Sequence, residues 1–171
     1  YNEQLSQSVL VVTGEASGEV YAAKLVNALE NRVPGFRSRI FGCGGEILKK
    51  AGVEIIVENS QLSVLGPFEA ISHLSQFFTS MNQLVLESKR RNTRFAILVD
   101  FPDFNIPLAK RLKKNGIGII YFVSPQLWAW RKNRIHKLKK VVDQMIVILP
   151  FEKQFYAKYG MKVKYFGHPL V

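Results

Sequence analysis

Seven short apolar runs rich in β-branched residues recur along the chain, at 8–13, 36–41, 53–57, 95–99, 118–123, 144–149 and 162–166. Most of the intervals between them place apolar residues three or four apart, the repeat of a helix with one buried face. Runs such as Ala96-Ile97-Leu98-Val99 are apolar on both sides of the predicted strand. Parallel strands covered by helices on each face need that pattern. The predicted architecture is an α/β fold with a doubly wound, mostly parallel sheet flanked by helices, Rossmann-like in outline. No repeat, low-complexity tract or break in composition divides it, so residues 1–171 read as a single domain.

Helix boundaries support the alternation. Gly14-Glu15-Ala16-Ser17-Gly18 follows the first run, and Ser17 is the predicted cap of a helix through Tyr21, Leu25, Ala28 and Leu29. Asn105 followed by Pro107 predicts another helix start, with cations from Lys110 to Lys114 at its end and Gly116 terminating it. Gly167-His168-Pro169 reads as the beginning of a linker.

The segment 62–86 is different in kind. Phe68, Ile71, Leu74, Phe78, Met81 and Val85 form one predicted helical face, with Leu62, Val64, Leu65, Phe77 and Leu84 outside it. One buried face does not need so many apolar residues. Lys89, Arg90, Arg91 and Arg94 follow at once, the order of an interfacial helix beside anionic headgroups. A wide core-facing helix beneath a partner domain has the same pattern.

Composition narrows the classes. A chain of 171 residues, 47% hydrophobic, is long enough for one core. It opens on Tyr1 and a polar stretch without the basic-then-apolar order of a secretory signal, and no apolar run approaches the roughly 18 residues that cross a bilayer. The single cysteine, Cys43, forms no internal disulfide, which fits a reducing compartment, and the expected location is the cytoplasm. Of the net charge of +11, residues 1–57 carry 0, 58–114 carry +3 and 115–171 carry +8. Such a field draws phosphate, whether on nucleic acid, lipid or a small substrate.

In a doubly wound sheet the ligand site lies beyond the carboxyl ends of the strands, so the loops there are the places to look. Gly14 to Glu19 leads into a helix whose free N–H groups suit an anion, although it is neither a dinucleotide fingerprint nor a P-loop. Asp100, where an apolar run ends, is the candidate general base, because partial desolvation raises a carboxylate pKa. Asp100 and Asp103, in the same Asp100-Phe101-Pro102-Asp103-Phe104-Asn105 loop, read equally as carboxylates that hydrogen-bond loop N–H groups, with Asn105 the predicted cap. Ser124-Pro125-Gln126-Leu127-Trp128-Ala129-Trp130 runs into Arg131, Lys132 and Arg134; tryptophans beside cations suit a sugar or base carrying phosphate, and suit equally a core wedge beside a solvated face. His136 has no second ligand at zinc spacing. A basic nucleic-acid-binding domain remains an alternative, without an RNA-binding or helix-turn-helix signature.

The strings GEASGE (14–19), LVDFPDFN (98–105), YFVSPQLWAWR (121–131), LPFEKQFYAKYG (149–160) and FGHPL (166–170), taken together, resemble the lipid-A-disaccharide synthase family in order and spacing along nearly the whole chain. Glu19 departs from the aspartate more common there. The resemblance implies a two-domain GT-B glycosyltransferase of family 19, inverting and metal-independent, with no cofactor. It implies UDP-2,3-diacylglucosamine and 2,3-diacylglucosamine 1-phosphate (lipid X) as substrates and UDP as a product of lipopolysaccharide biosynthesis. Asp100 matches the family's proposed base, and Gly14, Glu15, Ser17, Asp103, Asn105, Ser124, Trp128 and Arg131 are the expected substrate-binding residues. Phe68, Ile71, Leu74, Phe77 and Phe78 fall on the family's membrane-facing, acyl-receiving patch. The resemblance also implies an acceptor-binding N-terminal half, a donor-binding domain after Val171, and no turnover by this part alone. Another GT-B transferase with a lipid or glycan acceptor is the alternative within enzymes. The expected location is the cytoplasmic side of the inner membrane, bound peripherally to an anionic surface, with no nucleic acid partner and a homodimer left open.

Overall fold

The computed structural model describes residues 7–62, 70–124 and 134–169, with the side chains of 70–74 outside that set. Seven strands, β1 (Val9–Thr13), β2 (Ile40–Gly44), β3 (Glu54–Glu58), β4 (Phe95–Val99), β5 (Gly118–Phe122), β6 (Gln144–Val147) and β7 (Val163–Tyr165), form one sheet in the order β3-β2-β1-β4-β5-β6-β7. Every pairing is parallel. The helices are α1 (Ala16–Arg32), α2 (Glu46–Lys50), α3 (Ala70–Arg90), α4 (Pro102–Lys113), α5 (Arg134–Val141) and α6 (Pro150–Ala157).

Period-two geometry divides the strand residues between two cores. Leu10, Val12, Ala96 and Leu98 point to the side packed by α3, α4, α5 and α6, while Val11, Ile97 and Val99 point to the side packed by α1 and α2. Leu10, Val12, Leu98 and Val99 are fully buried, which explains why these runs are apolar without alternation. The order in which strands are added reverses between β1 and β4: α1 leaves β1 over one face and α4 leaves β4 over the other. That is the topological switch point, where a crevice opens at the strands' carboxyl ends.

Three expected boundaries move, each for a local reason. The run at 36–41 begins as a 3₁₀ turn, Phe36–Arg39, and becomes strand only at Ile40. Gly35 there is left-handed at φ 84°, and the Glu30 carboxylate accepts the N–H groups of Gly35 (3.0 Å) and Arg37 (2.8 Å), which holds Glu30 below the usual carboxylate pKa. Helix α1 starts one residue before Ser17, which sits exposed in its first turn; Glu15 occupies the cap position with no side-chain bond. Asn105 is likewise no cap. Helix α4 starts at Pro102, and Asn105 is fully buried within it. Gly116 does end α4, left-handed at φ 76°.

On α3 the inward face is Phe77, Met81, Leu84 and Ser88, so Phe77 belongs to the core side and Phe78, 50% exposed, to the surface. Of the basic group after it, Arg90 and Arg91 pair with Glu87, and Arg91 also pairs with Glu54. Arg94 lies beside β4's first residue, at the end of the sheet away from the crevice.

Gly42, in the middle of β2 where the pairing with β3 shifts register, has no room for a side chain: a Cβ there would stand 1.7 Å from the Val11 carbonyl oxygen. Both are backbone of neighbouring central strands, so relief requires the strands to separate. Gly42→Ala is expected to leave the chain insoluble or without a cooperative urea transition, whereas Gly35→Ala, with nothing within 4 Å of its Cβ, costs only about 1 kcal/mol.

Candidate functional site

The site is built at the switch point by a backbone that stores strain. Asp100 (φ 45°) and Phe101 (φ 47°), directly after β4, are consecutive left-handed non-glycine residues, and Val123 (φ 62°), directly after β5, is a third. Such conformations cost of order 1 kcal/mol or more each and persist only where neighbours over-determine them. Here three kinds of neighbour do so. The Asp100 N–H donates to the Val123 carbonyl (3.1 Å), and the Val123 N–H donates to the Ile146 carbonyl (3.1 Å), tying the ends of β4, β5 and β6 together. From beneath, the Asn105 amide donates to the carbonyls of Asp100 (2.9 Å) and Val99 (3.3 Å), and the buried Tyr121 hydroxyl donates to the Asp100 carbonyl as well. The Phe101 ring stacks on Phe104 (5.5 Å between centroids) and meets Phe77 edge-on (6.1 Å).

Gly14 completes the clamp. A Cβ at Gly14 would lie 2.3 Å from the Phe101 ring, so the left-handed turn after β4 closes against bare backbone after β1. The Gly14 loop thus has a packing role independent of any ligand.

The turn presents a half-buried Asp100 carboxyl whose pKa is pushed up to about 6, first by burial, then by the charge of Glu15, and less by Glu152; a bond to the Phe101 backbone opposes the rise. Glu15, the exposed residue at the start of α1, therefore faces Asp100 across the switch point. A carboxyl of this kind exchanges its proton near neutral pH, as a general base requires.

Three members of the cluster were not anticipated. Glu152 is almost wholly buried at the start of α6; its carboxylate accepts the Leu149 N–H (3.0 Å) and a Ser124 bond, while burial holds its pKa above the usual value. Tyr156, one turn further and fully buried, shares a short hydrogen bond with Ser124, and burial raises its phenol to about 12. Ser124 is thus gripped by α6. Tyr121 holds Asp100 from below, with burial pushing its pKa well up. Leu149-Pro150-Phe151-Glu152, a proline-initiated turn with glutamate three residues after the cap position, is the sequence signal that could have found Glu152. Tyr121 and Tyr156 carry no signal beyond core periodicity.

Of the remaining expected site residues, Glu15 and Ser17 are exposed at the start of α1, and Asp103 is exposed and ion-paired with Arg134. Trp128, Arg131 and Phe68 lie outside the described residues, as do the side chains of Ile71 and Leu74. Phe77 meets Phe104 at 5.3 Å, and Phe78 lies on the outer surface with the Arg111 guanidinium 5.4 Å from its ring centroid. Glu19 is committed inside the fold: its carboxylate accepts the Leu48 N–H (3.1 Å) and the Asn59 amide (2.8 Å), joining α1 to the start of α2. No helix among the described residues is long and apolar enough to cross a membrane.

Residues 9–171 match the family model described as lipid-A-disaccharide synthetase. A lipid-A-disaccharide synthase of Syntrophus aciditrophicus is 45% identical over 166 residues, 97% of this chain and 43% of that protein. One of Koribacter versatilis is 44% identical over 162 residues, 95% of this chain and 42% of that protein, and one of Nitrosococcus oceani is 42% identical over 168 residues, 98% and 43%. The chain spans less than half the length of these relatives.

Asn105→Ala removes both amide bonds that hold the turn and leaves two buried carbonyls with one donor fewer. A loss of about 2–3 kcal/mol in urea unfolding is expected, with the Asp100 loop the first segment to gain amide exchange.

Proposed function

Since the chain belongs to the lipid-A-disaccharide synthetase family, we propose that it is the acceptor-binding part of a glycosyltransferase that joins UDP-2,3-diacylglucosamine to 2,3-diacylglucosamine 1-phosphate and releases UDP. The observation that carries the mechanism is Asp100 at the switch point, half-buried, its pKa near 6, on a turn that cannot relax. The Asp100 carboxylate takes the proton of the acceptor 6-hydroxyl as that oxygen forms its bond to the donor's anomeric carbon. The bond from that carbon to the UDP oxygen breaks on the opposite side, and the anomeric centre inverts. Held turn and fixed carboxylate remove the need to order the base during reaction.

Charge is divided to suit this chemistry. Glu15, Asp100 and Glu152 keep the base end negative, so the proton's affinity for Asp100 rises, while Arg131 supplies a cation for the acceptor phosphate. In this reading Arg131 and Trp128 meet the acceptor, and the donor nucleotide is held by the part of the relatives' length that this chain does not span, without a metal. The work is done at the cytoplasmic face of a membrane, with the protein peripheral and with α3's exposed Phe78 and Leu86 toward the acyl chains.

The test uses the full-length protein carrying this chain. Asp100→Asn is expected to lower kcat by 10²–10⁴-fold while substrate binding survives. In the unaltered protein kcat/KM falls about tenfold per pH unit below about 6, and that limb disappears in the variant. Turnover within a few-fold of normal excludes Asp100 as the base. Stability carries the opposite sign. A carboxyl raised in the folded state binds its proton more tightly there than in the unfolded chain, so its protonation supports folding below about pH 4 and that support is lost by about pH 6. Asp100→Asn is therefore expected to raise Tm at pH 8 relative to its effect at pH 4.

A further inference from the structure

Outside the crevice, the layer of α3, α4 and α5 carries a feature that the reaction does not use. A groove of about 540 Å³ runs between α4 and α5. Ile106, Pro107 and Val141 give it aliphatic walls, Lys110, Lys137 and Lys140 line it with ammonium groups, and the Arg134–Asp103 ion pair stands at its end nearest the Asp100 turn.

The three lysines differ from the ion-paired cations of the fold in that they converge on one concavity. Lys49 pairs with Glu46 and Glu58, Arg91 with Glu54 and Glu87, and Lys113 with Asp143. Among the described residues, Lys110, Lys137 and Lys140 have no carboxylate partner, although all three face one concavity. Like charges beside a low-dielectric wall focus a positive potential into the groove. An occupant that relieves it carries negative charge on a body that tolerates aliphatic contact. A nucleic-acid strand would want aromatic platforms, and among the described residues the groove has none. Beyond α4, the neighbouring surface exposes Phe78 (50%) and Leu86 (65%), with Arg111 and Lys114 lining the cleft beside Leu86.

We propose that the α4–α5 groove is a binding site for the phosphate headgroup of an anionic membrane phospholipid, distinct from the crevice where the sugar reacts. The lysines hold the phosphodiester, the aliphatic walls receive the glycerol and upper acyl segments, and Phe78 and Leu86 enter the interface on the other side of α4. The proposal rests on the membrane-surface part of the reading above.

Sedimentation of the full-length protein with vesicles of phosphatidylcholine, with and without about 30% phosphatidylglycerol, tests it. Lys110→Gln, Lys137→Gln and Lys140→Gln together are expected to lower partitioning onto the charged vesicles at least tenfold. A control triple of equal charge loss, Lys50→Gln, Lys153→Gln and Lys158→Gln, changes it less than twofold, and turnover of short-chain, detergent-soluble substrates stays within twofold in both. Equal binding by the two triples overturns the groove while leaving the membrane reading intact; failure of the unaltered protein to bind charged vesicles overturns both. A raised acceptor KM with unchanged vesicle binding reassigns the groove to the substrate phosphate. Micromolar binding of a single-stranded oligonucleotide, lost in the groove triple, reassigns it to nucleic acid.

Discussion

The Asp100–Phe101 turn is the constraint on which the rest of the site depends. Two consecutive left-handed residues with side chains are a conformation an isolated peptide rarely visits, and four groups from three directions are recruited to hold them. Asn105 and Tyr121 bind the carbonyl side, Val123 takes the amide, and the Phe104–Phe77 aromatic wedge fixes the ring. The strain aims one carboxyl into the crevice while sending the chain into α4. Val123 repeats the device one strand along, so the floor of the crevice is one hydrogen-bonded ridge spanning β4 to β6.

The architecture was legible because its cause is simple. Strands buried on both faces must be apolar throughout, and Phe95–Val99 could be read residue for residue. Asp100 was legible for the same reason, as the first charge after such a run. Misreadings arose where a polar side chain serves tertiary contacts instead of its own local segment. Asn105 has the composition of a cap and acts as a buried strut, and Ser17 resembles a cap while Glu15 holds that place. Phe77 and Phe78 share one composition and differ by one step of 100° around α3, and the tertiary contacts with Phe101 and Phe104 are made by Phe77. Glu152 and Tyr156 reach Ser124 across more than 25 residues, and no local pattern encodes such a distance.

Electrostatics separates the molecule into two regions. At the crevice, negative charge is concentrated and partly desolvated, so the Asp100 pKa rises to about 6 and that of Glu152 lies above its usual value. On the outer helical layer, positive charge is concentrated and hydrated, so long side chains stay mobile and screenable. The Arg134–Asp103 pair stands at the border between them and keeps a cation of the outer layer beside the Asp100 turn.

The contact between Gly14 and the Phe101 ring joins two positions far apart in sequence into a single choice. A side chain at 14 is admissible only if residue 101 gives up its ring, and losing the ring removes one of the aromatic contacts of both Phe77 and Phe104. Substitution at either site is then conditional on the other, so the pair should be inherited together: descendants of this chain keep both, or exchange both in one concerted repacking, and intermediates with only one change are the unfit ones.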